Sequence, residues 1–173
     1  MNSKRSRNTI MLLRWGSFTL LLLLAAVLQT IPGFLNLWGV RPVFILPVCL
    51  AVATQVEEYS AAFFGALGGL VWDFSAGRIA GLLSLALLAA CFLVSVLTRV
   101  FFRVGPLNFT AICLAAAFVI ISMDFLFIYV MRGYGGASAR YLTHVLPMIL
   151  FTGALSSLWL FPAQKVAQTF HLN

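Results

Sequence analysis

Residues 82–102 read LLSLALLAACFLVSVLTRVFF, twenty-one positions interrupted by one charge, Arg99. An α-helix rises about 1.5 Å per residue, so roughly twenty apolar residues cross the ~30 Å hydrocarbon layer of a bilayer. This run has that length, and apolar side chains occupy every face of the helix it would form. Working outward, five more apolar segments fall at 12–31, 43–56, 60–74, 107–131 and 141–161. The first is closed by Pro32-Gly33; the second opens after Arg41-Pro42 and stops at Glu57-Glu58. The expectation is an all-α membrane protein, a single six-helix transmembrane domain over 1–173. The second and third spans are short, and Pro47 and Pro147 are expected to kink the second and the sixth.

Composition agrees. Hydrophobic residues make up 62% of the chain and charged residues 9%, with a mean hydropathy of +1.05. A soluble domain carries about a quarter charged residues, and a β-barrel would show short alternating segments instead. The net charge of +7 does not imply nucleic acid, because the basic residues stand singly between apolar runs, without interleaved aromatics. They read as helix-end anchors. Cys49, Cys91 and Cys113 each lie inside an apolar run without metal-ligand or CxxC spacing, so they read as buried filler. The basic start (Lys4, Arg5, Arg7) and the leucine run after it imitate a signal peptide. The run ends in Ala-Ala-Val-Leu-Gln-Thr without a small-x-small cleavage site, so it reads as a retained first helix.

Orientation follows from the anchors. With the N-terminus inside, Lys4, Arg5, Arg7, Arg14, Arg99, Arg103 and Lys165 are inner, and Arg41, Arg78, Arg132 and Arg140 are outer. Seven against four places both termini in the cytoplasm. The loops are short, so function resides in the membrane or at its surfaces.

Two features stand out within the spans. Ala61, Gly65, Gly69, Asp73 and Gly77 recur every fourth residue, a ridge of small side chains that admits a neighbouring helix closely. Packing within the bundle is the expected use, and a groove between molecules is the alternative. Asp73 is expected to cap the turn Ser75-Ala76-Gly77 through its backbone N–H groups, a polar contact with a partner being the other reading. Asp124 lies seven positions before Met131, roughly 10 Å below the outer end. A bare carboxylate there costs at least ~2.5 kcal/mol, so it faces the bundle interior and finds a partner. Arg140 and His144, one turn apart after the Gly133–Ala139 loop, are the expected partners. Catalysis needs titratable groups of separated pKa within reach of one substrate, and no nucleophile, metal-ligand spacing or phosphate loop accompanies these; no cofactor or metal is expected. His171, near the tail, carries no role. Gln29, Asp73, Asp124, His144, Arg41, Arg78 and Arg140 all fall in the outer half, which suggests an outward polar recess or a docking face.

These residues resemble a known family. Gln29-Thr30 ending the first helix, Trp38-Gly39-Val40-Arg41-Pro42 leading the second, the run Gly65, Gly69, Asp73, Gly77, Gly81, and Phe101-Phe102-Arg103 before Pro106 resemble the MreD family of rod-shape-determining membrane proteins. The likeness covers essentially the whole chain through order and spacing; an acid follows the proline in that family, where this chain has Val43. The resemblance implies a non-enzymatic subunit of the bacterial cell-elongation machinery in the inner membrane. It would associate with MreC, a single-span protein with a periplasmic domain, and through it support the MreB filament, the RodA glycosyltransferase, its partner transpeptidase and peptidoglycan synthesis. The implied fold is similar to substrate-binding subunits of energy-coupling-factor vitamin transporters. That likeness supplies the alternative, an outward-facing small-molecule capture subunit. Such a subunit docks an energising module through small residues on its first helix, where this chain has only Ala25-Ala26 near the outer end.

Overall fold

A computed structural model describes residues 2–31, 40–77, 81–100, 105–131 and 137–169. Arg78, Arg103, Arg132, Gly133, His171 and the motif segments Trp38-Gly39 and Phe101-Phe102 lie outside the described residues. The described chain is helical: α1 (Asn2–Thr30), α2 (Ile45–Ala53), α3 (Glu58–Ser75), α4 (Leu82–Val100), α5 (Pro106–Phe125), α6 (Ala137–Arg140) and α7 (Leu146–Thr169). A π-helical turn, Leu126–Val130, continues α5, and another, Tyr141–Val145, joins α6 to α7. Among the described residues, four helical stretches are long and apolar enough to cross a membrane: Thr9–Thr30, Leu82–Val100, Pro106–Tyr129 and Tyr141–Thr169.

The hub is α2. All nine of its residues are buried, and it touches α1, α3, α4, α5 and α7. An element apolar all round belongs inside a bundle. At about 14 Å it is half the hydrocarbon thickness. Pro47 is its third residue, in the first turn, where a missing N–H breaks no internal hydrogen bond. The expected kink is therefore absent, and Pro47 starts the helix rather than bending it. Pro147 is the second residue of α7, one residue beyond the Tyr141–Val145 π turn, where the widened hydrogen-bond pattern accommodates its ring.

Helix α7 runs past the expected end at 161, through Pro162, to Thr169. Ala163 and Ala167 beyond the proline are buried in the core (1% and 6% exposed), and that packing keeps the helix whole. Helix α1 likewise extends back to Asn2.

Helix α3 packs most extensively on α4, and α5 on α7. A β-carbon on Gly65 would lie 2.6 Å from the Leu87 carbonyl oxygen and 2.8 Å from Cys91 Sγ; one on Gly69 would lie 2.6 Å from the Ser84 backbone nitrogen. These two glycines let α3 and α4 meet backbone to backbone. Gly68 faces the other way, where its β-carbon would strike Cys49 Sγ on α2. Gly77 leaves the ridge: nothing stands within 4 Å of where its β-carbon would be, and its φ of +61° ends α3 in the left-handed conformation. Cys49, Cys91 and Cys113 are buried thiols.

One end of the bundle is tied by charge. Arg99 Nη1 in the last turn of α4 lies 3.3 Å from Glu58 Oε1 in the first turn of α3; each charge also complements its own helix dipole. Arg14 Nη2 of α1 donates to the Gln55 carbonyl at 2.7 Å, and Ser95 Oγ donates to the Val56 carbonyl at 2.9 Å. Gln29, Arg41, Asp73 and Asp124 lie at the opposite end.

Candidate functional site

The segment 40–44 enters α2 at that opposite end and is held from two sides. Gln29 Oε1 of α1 accepts the Phe44 and Ile45 N–H groups at 3.1 and 3.2 Å. Thr152 Oγ1 of α7 accepts the Val43 N–H at 3.0 Å and donates to the Met148 carbonyl at 2.7 Å. A helix N-terminus leaves its first N–H groups without internal acceptors, and in a bundle with little water only side chains can supply them. The result is a fixed entry to α2 that sets Arg41 at the rim of a recess.

The recess measures about 260 Å³ and opens between the ends of α1, α3, α5 and α7. Its polar lining is Gln29, Arg41, Asp124 and Tyr129; Trp72, Ile121, Phe125, Ile128, Val145 and Met148 form much of its apolar wall. Asp124 is 8% exposed. Arg41 is exposed, and among the described residues nothing accepts a hydrogen bond or ion pair from it. Phe125 stacks on Tyr129 with ring centroids 4.9 Å apart. The Arg140 guanidinium lies over the Tyr129 ring, 5.1 Å from its centroid, a cation–π contact at the recess edge. Ser122 Oγ and Tyr141 Oη share a hydrogen bond of 2.7 Å beneath it.

The structure thus gathers Arg41 and Asp124, with Arg140 one ring away. His144 is exposed on the π turn, and pairing of Asp124 with Arg140 or His144 stays a proposal. Asp73 is elsewhere. It is buried (1% exposed), and its Oδ2 accepts the Gly81 N–H at 2.7 Å and the Ser84 N–H at 3.4 Å. It caps the start of α4, not the turn at Ser75-Ala76-Gly77, because the α3–α4 glycine contacts bring α4's unsatisfied N–H groups onto it. Gly65 and Gly69 lie in that same interface and are not part of this recess. Ala25 and Ala26 are buried, Ala25 against Phe44 and Val48, so α1 does not present them to an outside module.

Thr152, Trp72 and Tyr129 escaped sequence reasoning. Thr152 reads as one hydroxyl in an apolar run, and the N–H it caps is 109 positions away. Tyr129 and Trp72 carried only the general signal of aromatic residues near a span end. Chemically the recess presents a cation, a carboxylate and an amide beside an apolar wall. Among the described residues no three of His, Cys, Asp and Glu gather as metal ligands would.

A family model described as rod shape-determining protein MreD matches residues 9–169, nearly the whole chain. Comparisons with curated proteins and with solved structures gave no match.

Proposed function

The chain belongs to the MreD family, and on that premise we propose that it is a non-enzymatic subunit of the bacterial cell-elongation complex. In this reading it binds a single-span MreC-type partner in the inner membrane, and through it serves the MreB filament, RodA and its transpeptidase. The observation that carries the reading is the family match across a chain whose described residues are almost all helical and include four helices long and apolar enough to cross a membrane.

Six crossings with both termini cytoplasmic are part of the proposal. Arg14 and Gln29, fifteen residues and about 22 Å apart along α1, contact Gln55 and Phe44 respectively. The segment 40–57 therefore travels beside α1 through most of the hydrocarbon depth, although only nine of its residues form α2. The end holding Arg14, Arg99 and Glu58 would be cytoplasmic, and the recess would open outward.

Co-expression with a single-span MreC-type protein and affinity capture from detergent tests the reading. Recovery of the partner is expected. Repeated failure, with an established pair recovered in parallel, would overturn it.

A further inference from the structure

We propose that the recess at the Gln29–Arg41 end is a lipid site, seating the phosphodiester of an anionic phospholipid against Arg41 with one acyl chain along the Ile121–Ile128–Met148 wall. Three observations carry it. First, Arg41 is pinned in place by its neighbours' hydrogen bonds to Gln29 and Thr152, yet has no acceptor among the described residues. An exposed guanidinium on a backbone fixed in this way is suited to a phosphate oxygen pair. Second, among the described residues the charge here is net positive: Arg41 in the lining and Arg140 over the lining Tyr129 ring stand against the carboxylate of Asp124. Third, the wall below is apolar and the volume, about 260 Å³, is small. That is below the usual range for drug-sized ligands. It suits a phosphate and several methylenes, while the second chain stays in the bilayer. Tyr129, half-buried in the lining, is a side chain that favours the headgroup level.

The test uses the full chain, delipidated in detergent, with affinity read by thermal shift and bound lipid counted by native mass spectrometry. Phosphatidylglycerol, neutral diacylglycerol and inorganic phosphate are titrated separately. Phosphatidylglycerol is expected to bind and raise Tm, and the other two to have little effect at equal concentration. Arg41→Gln is expected to weaken phosphatidylglycerol by about tenfold, the loss of one charge-assisted contact. Ile128→Trp, which fills the wall, is expected to weaken it too, and Arg99→Gln at the opposite end to leave it unchanged. Equal binding to Arg41→Gln or to Ile128→Trp, equal stabilisation by diacylglycerol, equal affinity for inorganic phosphate, or equal loss with Arg99→Gln would each overturn the assignment. If Arg41→Gln does not fold, Ile128→Trp decides. Partner capture is scored separately, so failure here leaves the elongation-complex reading standing.

Discussion

Asp73 Oδ2 on α3 accepts the Gly81 N–H at 2.7 Å, so a carboxylate from one helix caps the next. Capping by Asp is worth about 0.5–2 kcal/mol over alanine. Asp73→Ala is expected to lower the detergent melting temperature by several degrees, and Asp73→Asn, which keeps an acceptor, by less. A melting curve for Asp73→Ala that overlays the parent would remove the cap from the account.

Gly69→Ala is expected to be more damaging than Gly77→Ala. At Gly69 the intruding methyl meets Ser84 backbone, which moves only if the α3–α4 pair opens, at a cost of about 1–3 kcal/mol or more. At Gly77 nothing obstructs, and only the positive φ of +61° is penalised, by about 1 kcal/mol. Comparing the two melting temperatures checks this; the reverse order would show that the helices tolerate separation.

The long helices were legible because their signal is local: uninterrupted apolar length needs no knowledge of neighbours. The glycine ridge was legible for the same reason, through Gly65 and Gly69. Gly77 was not, since a fourth-residue spacing looks identical whether the glycine packs or terminates. The burial of α2 on every side was not legible, because full burial by protein and burial by lipid leave the same apolar sequence. In the recess, Asp124 showed as a charge in the wrong solvent, and Arg41 only as a helix-end anchor of the outer half. The side chains that fix the backbone beside Arg41, Gln29 and Thr152, act on N–H groups 15 and 109 positions away, and sequence order holds no trace of that.

Gln29→Leu is expected to destabilise by about 1–3 kcal/mol or more, since it strands the Phe44 and Ile45 N–H groups where no water replaces the lost acceptor. Thr152→Val, which keeps the shape and strands only the Val43 N–H, is expected to cost less. Because both side chains fix one segment, the double variant is expected to be non-additive. Thermal unfolding of the four proteins supplies the cycle, and strict additivity would mean the two ties act on independent parts of the fold.

Asp124 sits 8% exposed in the wall of the recess, where lipid and protein offer little solvation to a carboxylate. What its polarity contacts there determines which replacement is tolerated. Asparagine keeps one acceptor and the shape, so Asp124→Asn is expected to fold with a small drop in melting temperature. Leucine removes the acceptor and leaves the groups around the recess facing hydrocarbon, so Asp124→Leu is expected to be worse by about 1–3 kcal/mol. The proposal that Arg140 balances its charge has a sharper signature. Arg140→Leu combined with Asp124→Leu is expected to cost less than the two single changes added, since neither charge is then stranded. Strict additivity would withdraw Arg140 as the balancing cation, and an Asp124→Leu protein as stable as the parent would show that the carboxylate is not needed at that depth.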